Sequence, residues 1–143
     1  MREQWCLIRA MTQTDMQTQD SPFALFGGAA AVAQLTRRLY QIMDEDPAAA
    51  RIRAMHGDDL QAVAVHVASF LTGWLGGPRD YFEDPARPCI RSAHRPFDIG
   101  PEDRDAWMAC MRKALAEHED LDPSLKAAFD TAIYRLADGL RQR

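Results

Sequence analysis

The residue with the clearest capacity for chemistry is His94, in the run RSAHRPF at residues 91–97. Pro96 cannot continue a helix, so the imidazole is predicted to lie at the end of a short helical turn. A neutral imidazole is a common axial ligand of haem iron, and the apolar side chains of Ile90 and Phe97 can pack against a porphyrin. Arg91, one turn earlier, can reach a propionate. On these facts alone, a satisfied surface or capping histidine is the more common alternative.

His94 lies in a proline-rich stretch, residues 79–99, between two longer predicted helices. Pro85, Pro88 and Pro96 interrupt this stretch and allow only short helical turns within it. An irregular segment of this length inside a compact helical domain is usually functional.

The elements that must position this segment all have helical spacing. Apolar residues recur every three or four positions after Gly27-Gly28, a pair that predicts a tight corner between two helices. Further helices are predicted over residues 58–74, 101–117 and 122–141. Pro47, Pro101 and Pro123 each stand at a predicted first helical position. No strand pattern occurs, which predicts an all-α fold.

Composition limits the class of protein. The 143 residues are enough for one compact domain. Residues 1–20 are predicted to be a flexible extension and residues 21–143 the folded domain. The net charge of -4, with scattered basic residues, argues against nucleic acid as a partner. No apolar run is long enough for a membrane span, and three widely spaced cysteines indicate reduced thiols and a cytoplasmic location.

Several short motifs stand in a fixed order between about residue 23 and residue 136. They are Gly27-Gly28, Leu39-Tyr40, WLGGP (74–78), Tyr81, HRPFDIG (94–100) and RDAWMACM (104–111). The most specific element is the pair HRPFDIG and RDAWMACM, which lie three residues apart. This order and spacing resembles the group II truncated haemoglobins of the globin superfamily.

The resemblance implies a truncated globin fold, a two-over-two helical sandwich around haem b, with His94 as the ligand to the iron. It implies that Tyr40 and Trp107 line the distal side, where phenol O–H and indole N–H groups can donate hydrogen bonds to bound dioxygen. The full set of expected cofactor contacts is His94, Arg91, Phe97, Ile90, Tyr81, Phe70, Val67, His66 and Trp107.

Three positions depart from the family pattern. His56 stands where relatives often carry Tyr or Phe, and it is predicted either as a second distal hydrogen-bonding or proton-transfer group or as a solvated loop histidine. His66 and Ala93 replace basic residues that relatives place near the propionates. Arg91 is then the main candidate for a propionate contact, and we expect faster haem loss than in more basic relatives. His118, among acidic neighbours, is predicted to be solvated.

Two functions from different classes follow. The first is a haem protein that binds dioxygen, nitric oxide or peroxide, with nitric oxide dioxygenase or peroxidase-type activity as its enzymatic extension. Strong distal hydrogen bonding slows ligand escape, which argues against simple oxygen delivery and favours redox turnover with an unidentified reductase. The second is a haem-free globin-like sensor or interaction module that docks a partner through residues 1–20. The joint presence of His94, Tyr40 and Trp107 favours the first.

Overall fold

The computed structural model describes residues 21–143, and within that range the chain is helical with no strand. The predicted extension, residues 1–20, lies outside the described residues. The elements are α1 (Pro22–Phe26), α2 (Gly28–Glu45), a 3-10 turn (Pro47–Ala49), α3 (Ala50–Met55), α4 (Leu60–Trp74), α5 (Asp80–Glu83), α6 (Ile90–His94), α7 (Pro101–Ala116) and α8 (Pro123–Asp138). The all-α prediction is confirmed. None of the described helices has the length and apolar character needed to cross a membrane.

Capping side chains and prolines explain where the helices begin. Ser21, Asp59 and Asp122 each accept a hydrogen bond from the backbone N–H three residues on, at 3.1 to 3.2 Å. Proline stands at the start of α1, α7 and α8, where its missing N–H has no helical partner to lose. Gly27 has a φ of 116°, which ends α1 and lets α2 begin at once. The predicted corner and proline starts are therefore confirmed.

The core lies between two packed pairs of helices. Helix α2 packs against α4, α7 packs against α8, and α2 also contacts α7. Trp74 of α4 meets Phe129 of α8 edge to face, with ring centroids 6.0 Å apart, and both side chains are 1% exposed. Burial of large apolar side chains contributes about 1.5–3 kcal/mol each, so these contacts hold the two pairs together.

The proline-rich stretch contains only the short helices α5 and α6, as its sequence predicts. The predicted end of the last helix at residue 141 is wrong, because α8 ends at Asp138. The backbone N–H groups of Gln142 and Arg143 bond to the carbonyl oxygen of Ile99, at 2.8 and 3.3 Å, instead of to helical acceptors. The chain after α8 therefore turns back over the segment that follows α6.

Candidate cofactor site

A cavity of about 480 Å³ lies among α2, α3, α4, α6, α7 and α8. This volume is within the range of small-molecule and cofactor pockets, and the wall is mostly apolar. The structure brings ten of the predicted site residues into the wall: Tyr40, His56, His66, Val67, Phe70, Tyr81, Ile90, His94, Phe97 and Trp107. Arg91 is the predicted site residue that does not line the cavity.

His94 is the last residue of α6, and its half-buried ring forms part of the wall. Its Nδ1 lies 2.7 Å from the carbonyl oxygen of Ile90, one turn earlier. A carbonyl oxygen only accepts hydrogen bonds, so Nδ1 carries the ring proton. In the neutral ring, this tautomer leaves the lone pair on Nε2, and that is the nitrogen that can bind a metal ion.

Tyr40 and Trp107 contribute two hydrogen-bond donors to the same cavity. Tyr40 of α2 is 4% exposed, and Trp107 of α7 is half-buried. Burial raises the pKa of the Tyr40 hydroxyl to about 12, although a hydrogen bond with Trp107 acts in the opposite direction. The phenol therefore keeps its O–H at physiological pH and remains a donor.

His56 caps the end of α3 and repeats the local geometry of His94. Its Nδ1 lies 2.7 Å from the carbonyl oxygen of Ile52, and its ring centroid is 5.5 Å from that of Tyr40. Burial lowers the pKa of His56, so the ring is neutral near pH 7. The ring therefore lines the cavity, and the distal role of His56 stays a prediction.

The basic residues near the cavity differ from those expected. The Nη2 of Arg91 donates a hydrogen bond to the carbonyl oxygen of Gly139 at 3.3 Å, away from the wall. Arg87 lines the cavity instead, and its Nη1 lies 2.5 Å from Nδ1 of His66. No motif in the sequence points to Arg87, although it lies in the proline-rich stretch that is predicted to be functional.

Arg104 is a second basic wall residue that the sequence analysis missed. It lies one turn before Trp107 on α7, and residues three apart share a helix face, which is the signal that points to it. Its Nη1 is 2.6 Å from Oδ1 of Asp138, and its guanidinium carbon is 5.0 Å from the ring centroid of Tyr134. Arg104 is therefore already neutralised by a carboxylate.

His118 contacts the protein interior, so the prediction that it is solvated is wrong. Its Nε2 lies 2.9 Å from the carbonyl oxygen of Phe26, and the two rings meet edge to face at 5.2 Å. The reason is long-range packing, because α1 reaches the end of α7. His118 is absent from the cavity wall.

Known proteins resemble the chain in both sequence and structure. A profile of the bacterial-like globin family matches residues 21–138. The group 2 truncated hemoglobin YjbI of Bacillus subtilis (strain 168) is 31% identical over 110 residues, which cover 77% of this chain and 80% of that protein. The chain belongs to the bacterial-like globins, as a group II truncated haemoglobin.

Two solved structures agree with this assignment. The group II 2-on-2 hemoglobin from Agrobacterium tumefaciens has a TM-score of 0.79 and 37% identity, over 88% of this truncated haemoglobin and 96% of that chain. The cold-adapted truncated hemoglobin from Pseudoalteromonas haloplanktis TAC125 has a TM-score of 0.81 and 32% identity, over 87% and 99%. The predicted two-over-two fold is thereby confirmed.

Membership of the family makes this truncated haemoglobin a haem-binding globin for small diatomic ligands such as oxygen. The residues present fit a haem group. A globin holds its haem through a proximal histidine, and the macrocycle and its propionates favour apolar walls and nearby cations. His94 offers a free Nε2, Phe70 and Phe97 offer apolar surface, and Arg87 offers a cation in the wall.

Proposed function

We propose that this chain binds haem b, with His94 as the single protein ligand to the iron, and holds dioxygen or nitric oxide beside Tyr40 and Trp107. The observation that carries the proposal is the 2.7 Å contact from His94 Nδ1 to the Ile90 carbonyl oxygen. It fixes the tautomer that leaves Nε2 free and restrains the ring, as second-shell partners of metal ligands do. When bound, the haem supplies an iron that coordinates the ligand and exchanges electrons.

The distal donors retain the ligand. The Tyr40 O–H can donate a hydrogen bond to a diatomic ligand that carries partial negative charge. The Trp107 N–H bonds to the Tyr40 oxygen in the structure, and it can donate to such a ligand by changing its acceptor. Hydrogen bonds are stronger in a poorly solvated cavity than in water, and Tyr40 is buried. Slow ligand release favours chemistry on the retained ligand over rapid delivery. We therefore infer nitric oxide dioxygenase or peroxidase-type activity, with electrons from an unidentified reductase.

Arg87 is the residue that we assign to a propionate, in place of Arg91. It belongs to the cavity wall and stands beside His66, so the two groups together can face a carboxylate. Both arginines have a carboxylate partner, but Asp84 lies 3.6 Å from Arg87 whereas Asp138 lies 2.6 Å from Arg104, so Arg104 is the less available of the two. With one principal cation at this position, faster haem loss than in more basic relatives stays our prediction.

Haem titration followed in the Soret region tests haem binding. We expect a Soret band at equimolar haem in the natural chain and its loss in His94→Ala. His118→Ala is the matched control, because it removes a half-buried histidine outside the cavity wall. No band in the natural chain would favour the haem-free module, and an unchanged band in His94→Ala would refute the ligand assignment.

Redox activity needs separate measurements. Nitric oxide consumption in air-saturated buffer with a chemical reductant tests the dioxygenase activity, and peroxide-dependent oxidation of a phenol tests the peroxidase activity. Turnover in neither assay would reduce the function to ligand binding.

The thiols Cys89 and Cys110 are unpaired in the structure, which supports our proposal of a reducing, cytoplasmic setting.

A further inference from the structure

The chain after α8 folds back over the segment that follows His94, and we call residues 139–143 the strap. Gln142 of the strap makes three hydrogen bonds to that segment. Its N–H donates to the Ile99 carbonyl oxygen at 2.8 Å, and its Oε1 accepts from the Ile99 N–H at 2.6 Å. Its Nε2 donates to the His94 carbonyl oxygen at 2.8 Å. One residue therefore ties both ends of residues 94–99 to α8.

Packing alone holds α6 weakly. None of its residues is buried, and Ile90 and His94 are only half-buried. A helix this short has little stability of its own, so its orientation depends on hydrogen bonds at its ends. The His94 carbonyl oxygen lies at one of these ends and accepts bonds from the Phe97 N–H at 3.1 Å and from Gln142.

Further contacts hold the strap in place. Arg143 forms an ion pair with Asp98 at 3.2 Å and a second one with Glu102. Gly100 leaves room for this arrangement, because a Cβ atom there would lie 2.6 Å from the guanidinium carbon of Arg143. Arg91 of α6 donates a hydrogen bond to the strap at 3.3 Å. Contacts of Gly139 and Arg143, which precede and follow Gln142 in the strap, therefore hold Gln142 in position.

We propose that Gln142 is a positioning residue for His94 and aims its Nε2 atom at the iron. This inference rests on the proposed function, since it requires His94 to be the ligand. The histidine is held at two points: its ring bonds to the Ile90 carbonyl, and its own carbonyl bonds to Gln142. Loss of the second bond frees the end of α6, so the ring samples more orientations and holds the iron less well.

Two substitutions separate the two halves of the amide. Gln142→Glu keeps an acceptor for the Ile99 N–H but has no donor for the His94 carbonyl. Gln142→Lys keeps a donor but no acceptor. Gln142→Ala removes both without adding charge. Gln61→Ala is the matched control, because Gln61 is an exposed residue of α4 outside the cavity wall.

The haem-loaded variants are compared by haem transfer to apomyoglobin and by the iron–histidine stretching band in resonance Raman spectra. We expect Gln142→Ala and Gln142→Glu to lose haem about three- to tenfold faster, the range for one lost hydrogen bond, with a shifted or broadened band. Gln142→Lys and Gln61→Ala should stay close to the natural chain. If Gln142 only stabilises the fold, Gln142→Glu and Gln142→Lys should lose haem at similar rates. Their unfolding temperatures should then also fall by similar amounts.

Hydrogen exchange on the haem-free chain checks the strap without the cofactor. The Ile99 amide should exchange faster in Gln142→Lys and Gln142→Ala than in Gln142→Glu, which keeps the acceptor. Unchanged haem loss and an unchanged stretching band in Gln142→Ala would overturn the positioning role alone. Failure of the natural chain to take up haem would sink the proposed function and this role with it, so the two failures are distinguishable.

Discussion

Two segments of the chain share the pattern Ile-Arg-x-x-His, residues 52–56 and residues 90–94. Each histidine stands at the end of a short helix, and each ring places Nδ1 2.7 Å from the isoleucine carbonyl oxygen four residues earlier. Both rings line the same cavity. The shared local geometry gives them the same tautomer, with Nε2 unprotonated.

The surroundings of the two segments differ. Ile52 is 4% exposed, and Arg51 pairs with Asp103 at 2.8 Å, so the core and an ion pair hold α3. The ring of His56 lies against that of Tyr40, one of the two donors that we propose for the distal side. Helix α6 has no buried residue and depends on the strap. Local sequence thus sets the tautomer of each histidine, and long-range contacts determine what each imidazole can do.

The most severe test of this comparison removes each imidazole in turn. His94→Gly should lower haem affinity by at least about 100-fold, beyond the usual effect of losing a second-shell partner, and His56→Gly by less than about tenfold. Spectrophotometric haem titration measures both. Added free imidazole should restore the Soret band in His94→Gly and have no such effect in His56→Gly. Equal losses in the two variants would show that the segments do not divide the roles as proposed.

The distal donors should produce the next largest effect. Tyr40→Phe and Trp107→Phe each remove a donor and keep an aromatic ring, so oxygen release should become about 10- to 100-fold faster if each bond to the charged ligand is worth about 1.5–3 kcal/mol. Stopped-flow displacement of oxygen measures the rate. Tyr134→Phe, a half-buried tyrosine of α8 outside the wall, is the matched control. Rates equal to the control would remove the donors from the ligand site.

Short-range patterns predicted most of the scaffold. Apolar spacing and helix-starting prolines depend on contacts within a few residues, and they placed the long helices and the corner at Gly27-Gly28. The order of motifs placed His94, Tyr40 and Trp107, which the structure brings into one wall. The role of His56 cannot be predicted in the same way, because the sequence alone does not determine which way a ring points at the end of α3.

The contacts that sequence analysis missed join residues distant along the chain. Arg87 meets His66 across 21 positions, and Arg91 meets Gly139 across 48. The periodicity of apolar residues along a helix does not reveal such pairs, because they depend on how separate helices pack. The early end of α8 has the same cause: Gln142 finds its partner in Ile99, a residue of another element.

Acid should weaken the anchor of α3 through Asp103, and it should also weaken the strap, because the partners of Arg143 there, Asp98 and Glu102, are carboxylates as well. Burial alone would raise the pKa of Asp103, but hydrogen bonds from Arg51 and the Gly100 N–H outweigh it and hold that pKa below its ordinary value of 3.8. The carboxylate therefore contributes stability that is fully present above pH 3.8 and is lost as the pH falls through the lower folded-state pKa. Asp103→Asn should lower the free energy of unfolding at pH 7 by about 1–3 kcal/mol.

Chemical denaturation across pH measures this loss, and Asp103→Asn should show a shallower fall in stability below pH 3.8 than the natural chain. Hydrogen exchange then locates the effect. Asp103 also accepts a hydrogen bond from the Gly100 N–H at 2.9 Å and lies 3.9 Å from Arg143, so Asp103→Asn should affect both segments. Relative to the natural chain, exchange in Asp103→Asn should rise more for the amides of residues 50–55 than for those of residues 90–94, and Gln142→Ala should have the opposite effect. Asp105→Asn, whose side chain is 62% exposed on the same helix, is the control. A uniform rise in exchange would contradict separate anchors.

The smallest expected effect comes from His56→Phe, which keeps a ring against Tyr40 and removes only the free Nε2. The free Nε2 can only accept a hydrogen bond, so the imidazole can assist by orienting the O–H or N–H of a distal donor. If it does, oxygen release should become about two- to fivefold faster in His56→Phe, as for a weak neutral hydrogen bond, with haem affinity unchanged. His56→Gln restores a polar group and should recover part of the loss. If His56→Phe releases oxygen at the natural rate, the imidazole only fills the wall. The two Ile-Arg-x-x-His segments would then share a geometry while only His94 uses its free nitrogen.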